Sequence, residues 1–421
     1  MSLKTYAAML RACGAVALLA VSVAGCDVSS LLDVSDPSRI LAEYVEVPSQ
    51  AQALANGVEA DFICAFGSHV IAMADFSDEA EDTNAGGDNW SLDRRRPEPQ
   101  NIWTSGDCGS LGTYVPASRS RWVADNLSRL LETWTDQEVP NRKQMLVRSN
   151  LLAGFSLYIL GADHCEAALD LGPRMTSMQI FAEAEKRFTK VLDAAPSADI
   201  KNAALVGRAR VRLFQGNKAG ALTDAQGVPA NFVMRILPSD AAPRMYNRVW
   251  SMIILNYNYG VTPWSRNLTT GGVVDPRTAA FDTKRVSQWS PGSIWAPSKY
   301  PTASTPMPVA RWEEAQLIIA EVQGGQQAVA IINKLRDAYS LPHFSSTVES
   351  VIQQTIADER RRELFFEGFR QYDIRRLNLP LFPPLGADYQ AGIKGGTYGN
   401  DSCVPLPNVE LLNNPTIRGG G

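Results

Sequence analysis

Two stretches of this chain collect flat rings and polar donors in sequence with no helical rhythm. Residues 74–116 hold Trp90 and Trp103 with Asp88, Asn89 and Asn101. Residues 227–308 hold Tyr257, Tyr259, Trp264, Trp289, Trp295 and Tyr300 with Asn256, Asn258 and Arg266. An aromatic face covers the C–H face of a pyranose, and amide, carboxylate and guanidinium groups bond its hydroxyls, so these residue types together suit a sugar. Aromatic residues make up 8% of the chain, so their gathering in loops carries information. Packing of loops onto helices is the commoner fate of any single ring; across the set, at least one ligand contact is expected. Trp122, Trp134, Trp250 and Trp312 fall in helical patterns and are assigned to packing.

Other chemistries find less support. Asp82, Asn84 and Asp88 around Gly86-Gly87 form a fragment of a calcium loop without its distal Glu, so no metal is assigned. The three His residues sit in unrelated contexts, and no GxSxG elbow, P-loop or dinucleotide fingerprint occurs. Carboxylates are plentiful, but a pair at ~5–9 Å, as glycoside hydrolysis needs, is not legible in one sequence. A lipid-anchored glycoside hydrolase is therefore the alternative to a binding protein. A helical-repeat scaffold that binds only protein is the third reading. With 40 Lys+Arg against 44 Asp+Glu in 421 residues, the net charge is -4, and no nucleic-acid partner is expected.

The N-terminus sets the compartment. Lys4 and Arg11 precede an apolar run, Ala12 to Val23, which has the form of a secretory signal. Val23-Ala24-Gly25-Cys26 resembles the bacterial lipobox. Small residues at 24 and 25 fit a peptidase groove, and the Cys26 thiol takes a diacylglyceryl group. Several acyl chains on one residue anchor stably where one would be marginal. Residues 1–25 are thus expected to be the signal peptide and 26–45 a lipid-anchored tether, with one domain over 46–421. No stretch after residue 30 approaches the ~20 apolar residues of a membrane span.

Cysteine use agrees with an oxidising compartment. Cys13 leaves with the signal and Cys26 carries lipid. Cys64, Cys108, Cys165 and Cys403 remain, enough for two disulfides in three possible connectivities. Paired CxxC spacing for zinc is absent.

Helical periodicity dominates the rest. Helices are predicted over Ser49–Phe66, 117–136, 141–160, 178–194 and 200–215, with another from Lys218, and again near 309–322, 326–338 and 348–370. Strand-like alternation is scarce, so the chain is mainly α. Ala184, Phe188, Val191 and Pro196 occupy the second-helix positions of a tetratricopeptide repeat. Ala328, Ile332, Leu335 and Pro342 keep nearly that register, and Ala221 and Ala225 follow it loosely. Stacked helical hairpins over about 117–226 and 309–370 are expected to carry ligand loops at about 74–116 and 227–308.

Three motifs in the second half carry a resemblance. Asp275-Pro276-Arg277 comes first. Lys299-Tyr300 follows, then Arg311-Trp312-Glu313-Glu314-Ala315. The third is Glu359-Arg360-Arg361-Arg362-Glu363-Leu364-Phe365-Phe366-Glu367-Gly368, with Asp373 and Arg375-Arg376 behind it. In this order, after the lipobox and Leu32-Asp33-Val34, and before Cys403-Val404-Pro405, they resemble the SusD/RagB family of nutrient-binding outer-membrane lipoproteins. The resemblance implies a SusD-like fold and a protein at the cell surface. It also implies capture of an oligomeric nutrient, commonly a glycan, for a TonB-dependent SusC-like transporter, without chemistry on the ligand. The charged row at 358–367 has two physical readings. One is a solvated helix face held by i,i+4 pairs. The other is a set of partly buried arginine forks that clamp the insertion to the scaffold. On neither are Glu359, Glu363 or Glu367 catalytic. Gly368 marks a turn or a close backbone approach.

Overall fold

Phe188 is completely buried, and its ring fits where two glycines let neighbouring helices approach. A Cβ on Gly154 would stand 2.8 Å from that ring, and one on Gly207 2.5 Å from it. The tetratricopeptide-like positions Ala184 and Val191 are buried beside it. The computed structural model in which these contacts occur describes residues 42–419, apart from 85, 87–89, 109, 288, 290 and 291. The chain divides after Val47, and before that point the described residues are 42–47, with the short helix Ala42–Val45. Cys26 and the signal segment lie outside the described residues, as do Asp88 and Asn89.

The larger unit, from Pro48 onward, is mainly α. Its long helices are α1 (Ala51–Phe76), α2 (Tyr114–Thr133), α3 (Arg142–Asp163), α4 (Ser177–Asp193), α5 (Ala198–Phe214) and α6 (Lys218–Gln226). In the second half come α7 (Trp312–Gln323), α8 (Gly325–Asp337), α9 (Glu349–Glu363) and α10 (Arg370–Leu377). Each of α2 to α8 packs on its successor, α1 lies against α2 and α3, and α9 closes on α7 and α8. A capping box starts α4, where Thr176 accepts from the Gln179 backbone and Gln179 answers, satisfying two otherwise orphaned donors.

The strands pair in twos, all antiparallel. β1 (Ala80–Asp82) pairs with β5 (Tyr259–Val261), and β2 (Glu166–Ala168) with β3 (Arg174–Thr176). β4 (Val233–Ile236) pairs with β10 (Met307–Arg311), and β6 (Thr269–Thr270) with β7 (Val273–Val274). β8 (Ala280–Val286) pairs with β9 (Ser293–Pro297). Two disulfides close the open choice of connectivity. Cys64 of α1 joins Cys108, and Cys165, just after α3, joins Cys403 in the tail.

Three expectations are corrected. α1 runs to Phe76, ten residues past the predicted end, because nearly every residue from Asp61 on is buried, and burial on all sides erases the amphipathic rhythm. By composition, Pro48–Phe76 and Arg142–Asp163 are long and apolar enough to cross a bilayer; here 83% and 78% of their apolar windows are buried inside the fold. The predicted helix 348–370 breaks after Glu363. Phe366 (φ 53°) and Gly368 (φ 83°) make the turn, and a Cβ on Gly368 would run into the His69 imidazole.

Candidate functional site

Glu359, Arg360 and Glu363 of α9 are buried, as is Glu367 just beyond it. Arg277 donates to Glu359 at 2.8 Å, to Glu363 at 3.2 Å and to Asp275 at 2.6 Å. Arg336 donates to Glu359 at 2.7 Å, and Arg311 to Glu363 at 2.7 Å and Glu367 at 3.0 Å. Lys299 also bonds Glu367. Burial alone would raise the Glu363 carboxyl, but Arg311 and Arg277 outweigh it and hold it below the usual range. The buried-fork alternative therefore describes this row, and its acids are committed to structure. A cavity of about 580 Å³ lies over this clamp, walled by Phe232, Lys299, Arg311 and Tyr339 among others. Of its charged walls, Arg277, Lys299, Arg311, Glu363 and Glu367 are engaged with one another.

A different face gathers the loop aromatics. Thr83 follows β1, and three bonds pull the insertion onto it. Thr83 accepts from Ser287 Oγ at 2.7 Å. Its own Oγ1 donates to the Tyr257 carbonyl at 2.7 Å, and its N–H donates to the Asn258 carbonyl at 2.8 Å. The Ser287 hydroxyl also accepts from the Trp289 N–H. So held, Trp289 faces Trp90, ring centroids 5.8 Å apart at 44°. Trp90 is steered by its indole N–H, which donates to the Asn84 carbonyl at 2.8 Å. Both indoles are partly exposed. Tyr257, also partly exposed, lies under Arg285 at 4.9 Å, and Arg266 lies over Trp295 at 4.1 Å.

Beneath this ledge sits an acidic cluster that reads as loop in the sequence. Asp75, Glu81, Asp82 and Asp93 are all buried. Asp93 accepts from the Asp82 N–H, the Tyr389 hydroxyl and Gln390. Lys394 donates to Asp82 Oδ1 at 3.2 Å and stands 4.8 Å from the Trp90 ring centre. Burial, then the Asp93 charge, pushes Glu81 up to about 8. Burial pushes Glu79 to about 8 and Asp82 to about 7. Asp75 is raised well above its usual value by burial and the neighbouring carboxylates, and neither of its carboxylate oxygens has a hydrogen-bond partner among the described residues. The described residues contain no group of three or more His, Cys, Asp or Glu placed to hold a metal ion.

The predicted ligand residues therefore divide. Trp90, Trp289 and Tyr257 come together, with Trp295 and Arg266 on the adjoining strand region. Trp103, Tyr259 and Tyr300 are fully buried and serve packing: Trp103 lies on Tyr259, and Tyr300 donates to the Phe366 carbonyl. Trp264 lies elsewhere, edge-on to Phe382. Trp122, assigned to packing, is 51% exposed. Sequence reasoning missed Arg285 and Lys394. Neither sits in a motif, and only the fold places them at the rings.

From Arg277 to Glu367 the clamp residues fall in the segment that matches a family model. Residues 276–402 match the SusD family model. Over these residues the chain is similar to the SusD family. "SusD-like protein P2" of Formosa agariphila is 32% identical over 122 residues, 25% of this chain and 24% of that one, so the match spans about a quarter of the relative's length. A SusD superfamily structure from Bacteroides vulgatus aligns with a TM-score of 0.67 at 15% identity, covering 88% of this chain and 97% of its own. A laminarin-binding SusD-like protein aligns at 0.65 and 17% identity, covering 86% and 97%. At these identities the solved structures establish the SusD fold.

Proposed function

We propose that this SusD-like protein captures a glycan on the Trp90–Trp289 ledge and hands it on unaltered. The recipient is a TonB-dependent, SusC-like transporter of the outer membrane, beside which acylated Cys26 tethers the protein at the cell surface. The observation that carries the reading is the pair of partly exposed indoles held 5.8 Å apart by backbone bonds from both ligand loops. Two such faces suit the apolar faces of sugar rings. The laminarin-binding relative shares the fold, which supports the ligand class. An exposed apolar patch at Trp122, Leu171 and Val409 offers area for a protein partner.

A hydrolase is the second reading, because carboxyls with raised pKa are what a general acid requires. Against it, Asp75, Glu81 and Asp82 lie under the surface, at most 7% exposed, where no glycosidic oxygen reaches them. The test uses the Cys26→Ala protein in affinity electrophoresis against a polysaccharide panel, with an assay for new reducing ends. Retardation without release is expected. Release of reducing ends would overturn the non-catalytic reading, and retention of the Cys26→Ala protein in washed outer membranes would overturn the lipid anchor.

A further inference from the structure

We propose that the ledge takes an acidic glycan, one whose sugars carry carboxylate or sulfate, and that Arg285 and Arg266 select it. The proposal rests on the glycan reading above and narrows its ligand class.

The arginines of the clamp are spent on carboxylates: Arg277, Arg311, Arg336, Arg360, Arg370 and Arg376 each hold at least one within ion-pair distance. Arg285 and Arg266 differ. Neither guanidinium makes an ion pair or a hydrogen bond to any described residue. Each instead lies over an aromatic ring, Arg285 over Tyr257 and Arg266 over Trp295. Stacking occupies the flat face of a guanidinium and leaves its N–H edge free, and that edge matches a carboxylate or sulfate with two parallel bonds. A neutral hydroxyl gains much less from it.

Position ties both groups to the ledge. Arg285 and Trp289 stand two residues either side of Ser287, the residue bonded to Thr83. The Trp295 backbone approaches Gly260 of β5, so the second stacked pair adjoins the same strands. The nearby acids do not use up this charge. Asp282 is met by Lys284 Nζ at 2.8 Å, and Glu81 is buried and held toward its neutral form. Without Lys4 and Arg11 the chain would carry 38 basic against 44 acidic residues, a net of -6. A cationic spot on such a surface is a local exception that favours anions.

The experiment measures Kd for the Cys26→Ala protein with polygalacturonate, carrageenan, neutral galactan and laminarin, at low and high salt. At least one acidic polymer should bind roughly tenfold tighter than both neutral ones and weaken with salt. Arg285→Gln and Arg266→Gln should each lose roughly tenfold toward that polymer at unchanged Tm. The polygalacturonate and carrageenan arms tell carboxylate from sulfate. Arg285 is exposed, so its variant tests the idea without risk to folding. Equal or tighter binding of a neutral polymer, or undiminished acidic binding by both variants, would overturn the charge selection. Trp289→Ala then decides separately: loss of that binding keeps the glycan reading. Absence of binding to every polymer overturns both.

Discussion

Arg277 Nη1 stands 2.8 Å from a carboxylate oxygen of Glu359, across 82 positions of sequence, with 2% and 0% of the two side chains exposed. The bond fastens the turn Pro276–Thr278, on the insertion, to α9 of the scaffold. Removing one partner of such a pair strands the other's charge in a poorly solvated place. Arg277→Leu is expected to cost about 3–5 kcal/mol, read as a shift in the urea midpoint. Arg277→Lys should recover only part, since an ammonium cannot fork between Asp275, Glu359 and Glu363. A loss under about 1 kcal/mol, the scale of a surface pair, would show that the clamp is not what holds the insertion.

Trp103 and Trp289 share a side chain but not a fate. Trp103→Ala should cost about 3–5 kcal/mol through the cavity it leaves. Trp289→Ala should leave Tm almost unchanged and abolish polysaccharide retardation. Calorimetry and affinity gels on the same two proteins check both halves. Normal glycan binding by Trp289→Ala would move the ligand off the ledge.

The buried carboxyls predict a pH slope. Glu79 and Glu81 keep their protons in the folded state up to about pH 8, whereas the unfolded chain releases them near 4.5. Between these values the folded state holds more protons, so stability falls as pH rises, by up to about 1.4 kcal/mol per pH unit for each group. His164 acts oppositely. Burial lowers it to about 4 from 6.5, so its effect ends near pH 6.5. Above that, up to about pH 8, the fall should appear alone. Glu81→Gln should flatten it in denaturation curves taken at stepped pH; an unchanged slope would remove Glu81 from the cause.

The disulfides differ in the loops they close. Cys64–Cys108 spans 44 residues and Cys165–Cys403 spans 238. Loop-closure entropy makes the longer one worth about 1.5 kcal/mol more. Replacing Cys165 and Cys403 by alanine should therefore lower the guanidinium midpoint further than replacing Cys64 and Cys108. The reverse order would mean that strain or residual structure outweighs loop length.

What was legible was local. The rhythm of Ala184, Phe188 and Val191 marks a helix and its packing face, and the structure buries all three. The second half of α1 is hidden because a helix covered on every side shows no polar stripe. Asp75 to Asp82 resembles a solvated loop because so dense a group of acids is ordinarily outside. Nothing nearby in sequence announces Lys394 or Arg370, which arrive far later in the chain to meet Asp82 and Asp78.

By itself the sequence determined where most helices lie, the cysteine count and the stock of rings and charges, because periodicity and composition belong to neighbouring residues. The tertiary structure alone decided which cysteines join, that the arginines of α9 turn inward, and that Trp90 and Trp289 stay partly exposed while Trp103 is enclosed. Exposure depends on which distant surface comes to lie over a side chain, and identical indoles give no sign of that until the chain has folded.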